Sequence, residues 1–93
     1  MSLFTLHIDH NGQSTIIQVK AATARKAAIK WAEDINTKEW KGIGNKAKYE
    51  LIEEMKDKDN PCVLIEETIN VWCTSALVRG RLFLINIVKT QIA

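Results

Sequence analysis

Asn11-Gly12, flanked on both sides by alternating apolar residues, constrains this chain more than any other feature. A two-residue type I′ turn needs positive φ at both central positions, and Asn-Gly supplies it at little cost. The turn fixes the pairing of the strands it joins: His10 opposite Gln13, Ile8 opposite Thr15, Leu6 opposite Ile17 and Phe4 opposite Val19. One face of the hairpin then carries Phe4, Leu6, Ile8, Ile17 and Val19. The other carries Thr5, His7, Asp9, Ser14, Gln18 and Lys20, with Ile16 as its one large apolar residue near the centre. A slip of one residue would invert this sorting, so pattern and turn agree on the register.

Helical spacing follows. Ala24, Ala27, Ala28, Trp31, Ala32 and Ile35 form one apolar stripe, which predicts a helix over 24–35 with Thr23 as its N-cap. Four of the six are alanine, so the helix can lie close to a sheet. Arg25, Lys26 and Lys30 precede Glu33 and Asp34, an order that opposes the helix dipole and hints at a use other than stability. After a connection over 36–45, Ala47, Leu51, Ile52 and Met55 predict a second helix over 46–57, capped by Asn45. Asp59-Asn60-Pro61 ends it, because a residue before proline avoids helical angles.

The last third reads as strands over Cys62–Glu67, Asn70–Val78 and Arg81–Thr90, with Arg79-Gly80 as the turn of a second hairpin. That turn places Val78 opposite Arg81, Thr74 opposite Ile85 and Trp72 opposite Ile87. One face shows Trp72, Thr74, Ala76, Val78, Phe83, Ile85 and Ile87; the other shows Val71, Cys73, Ser75, Leu77, Leu82, Leu84, Asn86 and Val88. Both are substantially apolar, and two-sided apolar strands belong where both faces are covered. Two alanine-rich, charged helices cannot cover both.

The expected fold is therefore a single small α+β domain over residues 1–93. It has an antiparallel sheet of four to five strands, with both helices mainly on the face of Phe4, Leu6 and Ile8. A chain of 93 residues has room for one modest core, and 46% apolar with 26% charged residues is an ordinary globular balance. No apolar run reaches the ~20 residues of a membrane helix, and no basic stretch leads into a long apolar one at the N-terminus. Two cysteines make no disulfide scaffold, which favours a reducing, cytoplasmic setting. The opening hairpin and its alanine-rich helix, Phe4 to Ala32, are similar to the start of HicB-type antitoxins over about the first third of the chain. The extra strand and glycine-rich segment of that family are missing before the helix, and no function is carried over.

Net charge is +2, but it is unevenly spread: residues 1–48 and 68–93 are basic and residues 49–67 are acidic. Arg25, Lys26, Lys30, Lys38 and Lys41, with Trp40 among them, form a candidate basic patch able to meet phosphates and stack a base. A tryptophan in this setting more often folds back over the core as a lid. No helix-turn-helix, zinc-finger, RNP-type or phosphate-loop signature accompanies the patch. His7 and Asp9 share a strand face, a pairing open to general-base or metal chemistry, but only Ser14, Gln18 and Lys20 stand near them. Cys73 sits within an apolar strand without a base. A turn at Glu67-Thr68 would set Cys62 opposite Cys73, the one register that permits a disulfide between them.

The expectation is a non-enzymatic protein-interaction module without cofactor or metal. It would self-associate as a homodimer, or bind another protein, through the apolar C-terminal hairpin. The candidate contacts are Trp72, Phe83, Ile85 and Ile87, provided theirs is the face left uncovered, and Ile85→Asp would then disrupt assembly. The alternative is a small nucleic-acid-associated regulator using the basic surface around residues 25–48.

Overall fold

The computed structural model describes residues 1–40, 43–60, 62–66 and 69–90. The chain runs β1 (Ser2–His10), β2 (Gln13–Ala21), α1 (Ala24–Asp34), α2 (Asn45–Lys56), β3 (Val63–Leu64), β4 (Val71–Val78) and β5 (Arg81–Thr90). The strands make one antiparallel sheet in the order β2-β1-β5-β4-β3, with both helices against one face. The two hairpins thus meet through their first and last strands: Leu6 opposes Ile87, Ile8 opposes Ile85 and His10 opposes Phe83.

Local chemistry explains the elements. Asn11 and Gly12 take φ of 50° and 80°, and the β1–β2 ladder pairs residue for residue from His10 and Gln13 to Ser2 and Ala21. Arg79 and Gly80 repeat the turn at φ of 54° and 74°, and Val78 opposes Arg81 as the spacing requires. Arg79 carries a Cβ in the left-handed region, a modest strain that the glycine beside it does not share. Thr23 caps α1 by accepting the backbone N–H of Lys26. The second helix begins one residue earlier than its spacing suggests, at Asn45; Gly44 takes the cap position without a side-chain bond.

The core lies between the helices and the face of Phe4, Leu6, Ile8, Ala76, Val78, Phe83, Ile85 and Ile87. Ala24, Ala27, Ala28 and Ala32 bring α1 close to the sheet, and Trp31 fills the larger gap above Phe83. This decides which face of the second hairpin is covered. Because β1 pairs with β5, the face bearing Leu6 and Ile8 continues into the face bearing Ile87, Ile85 and Phe83. Helices that cover one must cover the other. Phe83, Ile85 and Ile87 are accordingly fully buried, and Trp72 is half-buried with its ring edge-on to Phe4. These four are core residues, not free contacts, and the uncovered face is the opposite one.

The cysteine register also differs from the expectation. Val63, not Cys62, opposes Cys73, and both thiols are free. Glu67 and Thr68 lie outside the described residues. The connection is one residue longer than a turn centred on them would allow: Ile65 N–H reaches Val71 O, and Asn70 turns through a φ of 63°. Cys62 therefore packs toward the core and Cys73 shares the outer face with Val63.

Two substitutions check this assignment of faces. Phe83→Ala leaves a cavity under Trp31 and should cost about 3–5 kcal/mol in urea unfolding. Ile85→Asp buries a charge without a partner, so it should yield an unfolded chain by circular dichroism rather than a folded monomer.

Candidate functional site

Among the described residues, no helix lies over the outer face of the sheet. Strand alternation places Ser14, Ile16, Gln18 and Lys20 of β2 there, beside Leu3, Thr5, His7 and Asp9 of β1. It continues with Leu82, Leu84, Asn86 and Val88 of β5 and Val71, Cys73, Ser75 and Leu77 of β4, ending at Val63 of β3. The β1–β2 half is mostly polar. The β4–β5 half is not: Leu77 is 60% exposed, Leu82 54%, Val88 42% and Leu84 37%. Leu77, Leu82 and Leu84 cluster at the turn end of this half, and Val88 lies beyond Asn86 toward its other end, exposed apolar surface of the kind that marks an interaction site.

The polar half carries the His7 cluster. His7 Nε2 lies 2.6 Å from Ser14 Oγ and 3.6 Å from Asp9 Oδ1. Serine, histidine and aspartate are all present, but the geometry is wrong for relay. A nucleophile and an orienting carboxylate must sit on opposite ring nitrogens, and here both approach Nε2. The group is open to solvent. No cluster of three His, Cys, Asp or Glu side chains among the described residues is placed to hold a metal ion.

The candidate basic patch is dispersed. Trp40 is 5% exposed, packed edge-on to Trp31 and tilted against Phe83. It is the lid of the core and cannot stack a base without leaving it. Arg25 is committed to the fold: Nη1 donates to Asp57 O at 3.1 Å and Nη2 to Asn60 O at 3.0 Å, carbonyls just past the end of α2. That explains a cation in the first turn of α1 despite the dipole, since it serves the end of the neighbouring helix. Lys26, Lys30 and Lys38 remain exposed, and Lys41 lies outside the described residues.

One buried residue that the spacing did not single out is His10. Alternation from Phe4, Leu6 and Ile8 puts it on the core face. There it stacks on Phe83, with ring centroids 3.7 Å apart, and Nδ1–H donates to Leu82 O at 3.1 Å. Comparison of the chain with protein-family models, with curated proteins and with solved structures finds no match.

Burial pushes the Cys62 thiol up, with the charge of Cys73 adding to the shift and Arg25 opposing it. A raised thiol pKa favours the neutral form in the folded state. Its contribution to stability is therefore present below the free-thiol pKa and is lost as pH rises through the folded value. Cys62 should react with iodoacetamide more slowly in the folded protein than in urea at the same mildly alkaline pH, read by mass spectrometry. Arg25→Ala should cost about 1–3 kcal/mol in chemical unfolding, because it leaves two carbonyls without their donor. Lys26→Ala should stay within about 0.5 kcal/mol.

Proposed function

We propose that the protein is a non-enzymatic interaction module that self-associates by stacking the apolar β4–β5 half of its outer sheet face on a second copy. The observation that carries this reading is the cluster Leu77, Leu82 and Leu84, with Val88 beyond Asn86, exposed on adjacent strands of a face that no described helix covers.

Charge supports it. Lys20 and Asp9, with His7, are the titratable side chains that alternation puts on this face apart from Cys73, and all three lie on the β1–β2 half. Two apolar halves can therefore meet without opposing like charges. A second copy needs no further partner chemistry, because a two-fold stack is self-complementary.

Leu84→Lys tests the reading. The introduced ammonium faces Asp9 across the β1–β5 ladder, so the monomer should remain folded. In a stacked dimer it would be desolvated. Light scattering of dilute protein at high salt should show the wild type at twice the chain mass and the variant at the chain mass. A variant of unchanged dimeric mass and intact fold would sink the proposal.

A further inference from the structure

The two edges of the sheet are built differently. At one edge β3 is only two residues long, and beyond it Asn60 Nδ2 donates to Ser75 O at 2.7 Å, occupying an outward carbonyl of β4. At the other, β2 runs for nine residues without a bulge or proline, and its one charged residue, Lys20, lies next to its end. Natural edge strands are usually short, charged, bulged or covered. Beyond its first residue, where Gln13 Nε2 donates to Glu39 O, β2 carries none of these devices except Lys20.

The hairpin turn dictates which backbone groups of β2 are free. Residues flanking a two-residue turn form a hydrogen-bonded pair, and such pairs alternate along an antiparallel ladder. Gln13, Thr15, Ile17, Val19 and Ala21 thus bond to β1. Ser14, Ile16, Gln18 and Lys20 turn four N–H and four C=O groups outward. Ile16, 68% exposed, stands in the middle of them.

The geometry points to antiparallel pairing of β2 with β2 of a second copy of this chain. The site is separate from the stacked face proposed above: it uses backbone groups, not the leucines of β4 and β5. A two-fold axis beside Ile17 sets Ser14 opposite Lys20 and Ile16 opposite Gln18. Each of these residues has outward backbone groups, and no like charges oppose each other.

The helix above adds the argument for a copy over a foreign strand. Arg25 and Glu33 of α1 face α2, where they meet Asp57 O and Lys56. Lys30 and Asp34, one turn apart, lie on the opposite flank, and Asp34 lines the groove along Thr15, Ile17 and Val19. Neither has an ion-pair partner among the described residues. Across the two-fold, Lys30 faces Asp34 of the second copy and Asp34 faces its Lys30. The surface is its own electrostatic complement.

Gln18→Pro removes one outward N–H and the exposed side-chain bond to Thr5 Oγ1 but leaves the backbone bonds to β1 intact, so the fold should survive. Sedimentation equilibrium at low salt should show that this variant loses association that Leu84→Lys retains. Asp34→Lys, which leaves the strand untouched, should weaken association roughly tenfold by replacing two weak attractions with repulsions. Adding Lys30→Glu should restore it. Hydrogen exchange should show Ser14, Ile16, Gln18 and Lys20 amides protected in concentrated protein and open in dilute protein. Association lost in Leu84→Lys but unchanged in Gln18→Pro and Asp34→Lys would overturn edge pairing while leaving face stacking intact. A wild type that stays monomeric at millimolar concentration would overturn both.

Discussion

The antiparallel seam between β1 and β5 is what turns two local hairpins into one protein. Each hairpin is set locally, by a two-residue turn that fixes its register. The seam joins residues more than seventy positions apart, so loop-closure entropy opposes it until apolar burial offsets the cost. It is also where the core is deepest: Leu6, Ile8, Ile85, Ile87 and Phe83 all lie at zero exposure. Everything above the sheet depends on this continuity, because α1 spans both hairpins and packs on a face that exists only once they meet.

The aromatic cluster at one end of the seam shows how far that dependence reaches. His10 closes β1, Phe83 lies opposite it on β5, and Trp31 and Trp40 enclose the pair from α1 and the following connection. Four rings from four stretches of chain interlock edge-on or stacked, arrangements that stabilise beyond area alone. Asn60 plays a smaller version of the same part elsewhere. Its side chain donates to Glu54 O and Ser75 O while its carbonyl accepts from Arg25, tying both helices to the sheet.

Much of this was legible in the residues. Both turns, both strand registers, the Thr23 cap and the sorting of side chains to faces follow from Asn11-Gly12, Arg79-Gly80 and two simple periods. What was not legible required knowledge of contacts between hairpins. With both faces of β4 and β5 apolar, no local pattern says which lies under the helices; the pairing with β1 decides it, and so Phe83, Ile85 and Ile87 went inside. Trp40 has no periodic neighbours, so its place was open. Arg25 looked available because its acceptors are backbone carbonyls, which carry no signature in sequence. The one-residue error at Cys62 came from a connection whose length depends on Asn70 adopting a left-handed conformation.

The unequal edges bear on what this domain can become at high concentration. In polymer chemistry a monomer with two reactive ends grows into a chain, whereas one with a single reactive end stops after one coupling. A sheet open at both sides is the first kind, and its strand-to-strand growth has no natural terminus. Here the β3 side is short and plugged by Asn60, which leaves β2 as the single reactive end. For strand addition the domain is monofunctional, so its long bare edge can couple once without seeding a fibre.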